Sequence, residues 1–146
     1  MLSKMKEILK QSGLAVLATS WRDNPHCSLM AYETNEPGDE VYMMSIKSSK
    51  KFINICSNPN VCLLIDTRTG STTDLNGVQA LTVTGHHDQP STEAERSRIM
   101  DHLVARHPHL KQLAERPDVA VLVIKILSFQ LLDGISSSYY EEVQSF

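Results

Sequence analysis

The chain of 146 residues is poor in aromatics, poor in cysteine and has no dominant sign of charge. Aromatic residues make up only 5%, which argues against a sheet built to stack bases. With 14 basic and 17 acidic residues the formal net charge is −3, so no chain-wide basic surface for nucleic acid is expected. No apolar run is long enough to cross a bilayer. The opening residues, MLSKMKEILKQSG, lack the long apolar centre and cleavage site of a secretory signal. The expected location is cytoplasmic, with no membrane and no nucleic-acid partner. Cys27, Cys56 and Cys62 form no C-x-x-C pair and read as buried, reduced thiols.

What is present is enough for one core without disulfides or a structural metal. Residues 1–146 are therefore expected to form a single domain. Residues 1–13 read as an amphipathic helix, with Ser3 as candidate N-cap and Gly13 as its stop. Leu14 to Ser20 reads as a strand, followed by a tight turn at Arg22-Asp23-Asn24-Pro25 in which Asn24 tolerates positive φ. His26 to Thr34 is the second strand of that hairpin, and Val41 to Ile46 the third strand. Ser49 caps a helix reaching about Asn58, whose stripe of Phe52, Ile55 and Cys56 docks on the sheet. Val61 to Thr67 and Val78 to His87 are the fourth and fifth strands, separated by a polar loop. A helical excursion over 91–107 follows, opened near Ser91 and buried through Ile99, Leu103 and Val104, and Pro108 breaks it. From Asp118, VAVLVIKILSFQLLDGI makes one long sixth strand, or two with a bend. Tight turns permit antiparallel pairing, whereas parallel strands need crossovers. The expected fold is mainly β with flanking helices: a six-stranded antiparallel Greek-key barrel, whose closure hides its apolar edges.

The stretch from Glu40 to Asp66, EVYMMSIKSSKKFINICSNPNVCLLID, carries the functional signal. Strand, basic turn, helix, strand is an arrangement that grips a phosphate. The free N–H groups of a helix start point at the anion, the helix dipole favours it, and a lysine adds full charge. Lys50 and Lys51 open the helix, where cations oppose the dipole and are mildly unfavourable unless an anion is bound.

That stretch, with LAVLATS-x-x-x-NPHCSLMAY before it and VQALTVTG after it, resembles the FMN-binding split-barrel family typified by pyridoxamine 5′-phosphate oxidase. The resemblance runs from Leu14 to Ile135. It implies a split barrel that forms a homodimer with FMN at the interface. Carried over by residue, Lys50 and Lys51 would hold the 5′-phosphate and the Ser49 hydroxyl would add a hydrogen bond. The backbone of Met44, Ser45 and Ile46 would run along the flavin ring, and Met30 and Ala31 would lie against the ring or the ribityl chain. Apolar walls with backbone donors suit such a ring, and methionine is an adaptable wall. Met43 and Met44 point to opposite faces, so at most one of them contributes its side chain.

The oxidase itself carries an Arg-x-His pair near its C-terminus and an arginine on the second strand. Here those regions read FQLLDGISSSYYEEV, with neither residue, and HCSLMAY, with no arginine. The resemblance therefore implies a flavin-dependent oxidoreductase acting on a small molecule, with NAD(P)H as a candidate reductant and no assigned catalytic residue. Three alternatives stay open: a non-catalytic flavin or electron carrier, a deazaflavin-dependent reductase, and a relative that binds or degrades haem. His86, His87, His107 and His109 keep the last alive. His86 and His87 point to opposite faces and read as a surface polar pair, so no metal site is expected. Tyr139 and Tyr140 read as dimer contacts or as a lid on the ring.

Overall fold

Alternating burial along Leu14–Trp21 (β1) marks a strand with one face in the core. The computed structural model, which describes residues 1–143, assembles eight strands into one antiparallel sheet. The other strands are β2 (Asn24–Ala31), β3 (Glu33–Thr34), β4 (Glu40–Ile46), β5 (Asn60–Asp66), β6 (Gln79–Asp88), β7 (Val119–Asp133) and β8 (Ser137–Glu142). The helices are α1 (Leu2–Gln11), α2 (Lys50–Ser57), α3 (Glu93–Arg106) and α4 (Lys111–Ala114), the last preceded by a 3₁₀ turn over Pro108–Leu110. The strand order is β2-β1-β5-β6-β7-β4-β3, with β8 added beside β7. The meander β5-β6-β7 has β4 returned to its far side, which is the Greek-key step.

The expected six strands become eight for two reasons. The run from His26 to Thr34 breaks at Tyr32, so that β2 pairs with β1 while β3 pairs with β4. The tail after Ile135, read from the sequence without a strand, returns on β7 as β8. It carries Tyr139 and Tyr140 with exposed side chains. The first break also shapes the sheet. β2 and β3 stand at opposite ends of the strand order yet are separated by one residue, so the sheet must curl until its ends meet. Tyr32 sits fully buried at that meeting point. Its N–H donates to Gly13 O (2.9 Å) and its hydroxyl to Leu9 O. Burial pushes its phenol pKa up to about 12.

Inside the curl lie Leu17, Met43, Leu63, Val83, Leu122 and Phe129, with Met5 and Leu9 of α1 closing over them. A second cluster outside it joins Tyr42, Met44, Val121 and Val123 to Ile99 and Leu103 of α3. β7 is therefore buried on both faces. Its inward set changes from Leu122, Ile124 and Ile126 to Phe129 and Leu131 because a bulge shifts the register between Thr84 and Gly85. A Cβ on Gly85 would lie 2.5 Å from Ile124 Cγ2 and 2.9 Å from the Lys125 carbonyl oxygen. Backbone cannot yield as a side-chain tip can. Gly85→Ala is expected to destabilise the fold by about 1–3 kcal/mol, read as a lower urea midpoint. An unchanged midpoint would mean the bulge relaxes freely.

Local details differ from the sequence reading. In the β1–β2 turn, positive φ falls on Arg22 (53°) and Asp23 (62°), not on Asn24, because Trp21 pairs with Asn24 and leaves two turn residues. α1 has Met1, not Ser3, at its N-cap, with no side-chain cap bond, and Ser12 rather than Gly13 ends it in extended backbone. α3 is capped by Thr92, whose hydroxyl accepts from Glu95 N, while Ser91 bonds the Glu95 carboxylate. Cys27 and Cys56 are exposed and Cys62 is half-buried. The thiols are not core residues: Cys56 turns away from the face of α2 that buries Asn54 and Ile55. Among the described residues no helix is long and apolar enough to cross a membrane.

Candidate functional site

The curled sheet is not hydrogen-bonded all the way round. β3 pairs with β4 only through Glu33↔Tyr42 and Thr34↔Val41. Beyond that point, residues 43–46 of β4 have β7 along one edge and, among the described residues, no strand along the other. Among the described residues β2 likewise has only β1 beside it. Two strand edges with unpaired backbone groups thus face a seam, and such groups seek partners.

A cavity of about 530 Å³ opens on this seam, within the range typical of small-molecule sites. One wall is Leu14, Leu29, Met30 and Ala31; the facing wall is Met44, Ser45 and Ile46. Lys51 reaches in from α2, and His109, Leu110, Leu113 and Arg116 complete the lining from the excursion between β6 and β7. Of the residues singled out from the sequence, Met30, Ala31, Met44, Ser45, Ile46 and Lys51 meet here. Met43 faces the core and Met44 the opposite side, as alternation requires.

Ser49 stands one contact away. Its hydroxyl lies 2.8 Å from that of Ser45 and accepts from Phe52 N at 3.3 Å as the N-cap of α2. Lys50 does not join the group. It lines a separate cleft with Trp21, Arg22, Asn24, Pro25 and Asn54. Successive helical residues project about 100° apart, so only one of two adjacent lysines can face the seam. The helix is held in that rotation by Asn54 Nδ2 donating to Thr19 Oγ1 (3.1 Å) and Asn58 Nδ2 donating to Ser20 O (3.0 Å).

Four lining residues after α3 were not singled out as pocket residues in the sequence. Leu110 and Leu113 were legible only as a helical piece, His109 only as one of the histidines that keep a haem reading open, and no motif marks Arg116. Arg116 donates from Nε and Nη2 to the two Asp118 oxygens at 2.8 and 2.9 Å. The pair holds the guanidinium pKa above its ordinary value and the Asp118 carboxyl below its own. The remaining histidines lie off the cavity. His107 Nε2 is 2.9 Å from Tyr32 O, a contact at the strand break. His87 is buried rather than a surface residue, because its inward position on β6 follows Leu81 and Val83. Its Nε2 has no hydrogen-bond partner among the described residues, and burial lowers its pKa.

The arrangement suits a ligand with a flat apolar body and an anionic end. Apolar side chains form both walls, unpaired backbone edges offer donors and acceptors, and a cation and a hydroxyl stand together at one place.

Comparison with known proteins adds to this. The sequence profile of the pyridoxamine 5′-phosphate oxidase family matches residues 1–133. A pyridoxamine 5′-phosphate oxidase homolog of Schizosaccharomyces pombe is 37% identical over 71 residues, covering 43% of this chain and 37% of that protein. The fold is similar to that of a haem-binding protein from Mycobacterium smegmatis, with a TM-score of 0.82 at 14% identity. That match covers 95% of this chain and 56% of the other. It is also similar to an FAD-binding protein from Mesorhizobium loti, with a TM-score of 0.72 at 16% identity over 90% of this chain and 93% of that one. The chain spans little more than a third of the yeast relative's length and about half of the mycobacterial one's.

Proposed function

Since this chain belongs to the pyridoxamine 5′-phosphate oxidase family, we propose that it binds FMN in the seam cavity and acts as a flavin-dependent oxidoreductase on a small molecule. In this reading it works as a cytoplasmic homodimer, with the flavin at the interface and NAD(P)H as candidate reductant. The observation that carries the reading is the meeting of Lys51, Ser45 and the unpaired β4 edge around one cavity. The residues present fit the cofactor. Lys51 and the Ser45–Ser49 hydroxyl pair offer charge-assisted and neutral donors to the phosphate. Met30, Ala31 and Met44 offer walls for the ring, and the backbone of Met44, Ser45 and Ile46 offers its polar edge hydrogen bonds. Leu110 and Leu113 add apolar lining on one side. Bound FMN would supply the acceptor and donor of hydride; the chain's own part is to bind, orient and exclude water. No residue need serve as nucleophile.

A second reading rests on His109, which lines the same cavity. The similar mycobacterial protein binds haem, and a cavity histidine could ligate its iron. The absorption spectrum of the purified protein, before and after adding FMN or hemin, separates the two. FMN binding is expected to give flavin bands without a Soret band. A hemin-dependent Soret band lost in His109→Ala would overturn the flavin reading. Bound flavin that NAD(P)H does not reduce would recast the protein as an electron carrier.

A further inference from the structure

An FMN phosphate carries close to two negative charges, and a single lysine balances only part of that. The sequence offers Lys50 and Lys51 as a pair, but Lys50 lines a different cleft. The β2 wall of the cavity is Leu29, Met30 and Ala31, without charge. The cavity has one other permanent cation, Arg116, at the far end of the chain segment that carries Leu110 and Leu113. On the strength of the FMN reading above, we infer that Arg116 is the second cationic contact of the flavin phosphate, acting with Lys51 and standing in for the arginine that β2 lacks.

Two features suit Arg116 to this task. Asp118 engages the Nε and Nη2 side of its guanidinium with both oxygens, which orients the group although both side chains are about half exposed and the carboxylate offsets part of its charge. The Nη1 side has no protein partner among the described residues and remains free to donate. A planar fork held in advance is what bidentate phosphate recognition uses, and it spares the rotamer entropy of ordering a free side chain. The two cations also converge at one end of β4. Lys51 follows that strand through the Ser49 cap, and Lys47 N donates to Asp118 O at 2.9 Å, tying the Arg116–Asp118 corner to the same strand end.

The test compares FMN with riboflavin, which lacks the phosphate, by fluorescence titration of the full chain. Arg116→Ala is expected to weaken FMN binding about tenfold or more while changing riboflavin binding less than about twofold. Arg116→Lys should recover part of the loss, since it restores charge without the fork. A thermal melt like that of the parent shows that each variant is folded. Equal losses for both ligands would overturn the inference, because Arg116 would then be shaping the cavity rather than meeting the phosphate. Unchanged FMN affinity would also overturn it and would assign the guanidinium to an anionic substrate instead. If the parent protein binds neither ligand, the FMN reading itself fails, an outcome distinct from both.

Discussion

Lys51→Ala is expected to weaken FMN binding by about ten- to a hundredfold, or about 1.5–3 kcal/mol, the range for removing a charge-assisted hydrogen bond. Lys50→Ala is expected to change it by no more than about twofold, since its side chain lines another cleft and distant surface charge is screened by salt. The contrast is the useful part. Two adjacent lysines are equivalent by composition and differ only in which side of α2 they leave from. Titration of FMN into apoprotein of each variant gives the answer directly. If Lys50→Ala costs as much as Lys51→Ala, the phosphate lies across the helix start and the seam cavity is not its site. If neither costs anything, the phosphate binds elsewhere altogether.

Arg106→Ala should have the largest effect on stability, a loss of about 2–3 kcal/mol. Arg106 ends α3 but ties together two other parts of the chain, β3 and the end of α1. Its Nη1 donates to Glu33 Oε1 of β3 at 3.0 Å, and Nη2 donates to Lys10 O at 3.0 Å and to Ser12 O. Those carbonyls belong to the end of α1, where helices leave acceptors unsatisfied and favour a cation. Both partners of the ion pair are about three-quarters buried, at 26% and 23% side-chain exposure, so screening removes little of the effect. The substitution would release α1 from the end of the barrel and loosen β3, whose pairing decides where the seam begins. Urea unfolding measures the loss. A change under about 0.5 kcal/mol would mean that water satisfies the same carbonyls. Arg106→Lys should recover only part of the stability, because one ammonium cannot reach Glu33 and two carbonyls in the fork geometry.

Much of the β architecture was legible in advance because it rests on short apolar runs bounded by turn residues, which are local. Leu14 to Ser20, Val41 to Ile46 and Val61 to Thr67 stand within a residue or so of where their short apolar runs, bounded by turn residues, put them. Tyr32 shows where that logic stops. His26 to Thr34 reads as one strand with no turn residue inside it, yet the chain changes partner at Tyr32, a decision made by how far the sheet must curl before its ends meet. The Ser137–Glu142 strand escaped for the opposite reason. Its side chains are mostly exposed, so there is no apolar stripe to read, and β7 beside it supplies the pairing.

The candidate site divides the same way. By itself, the amino-acid sequence determined that a strand ends in Ser45-Ile46, that Ser49 caps a helix and that two lysines open it, because capping and helix propensity act within a few residues. Only the tertiary structure decided that Lys51 and not Lys50 faces the seam, that Met30 and Met44 stand across one cavity, and that Arg116 and His109 reach it from a segment about sixty residues beyond the helix start. These depend on the rotation of α2 against β1 and on the closure of a curled sheet. Both are set by packing between residues far apart in the chain, and no local pattern encodes them.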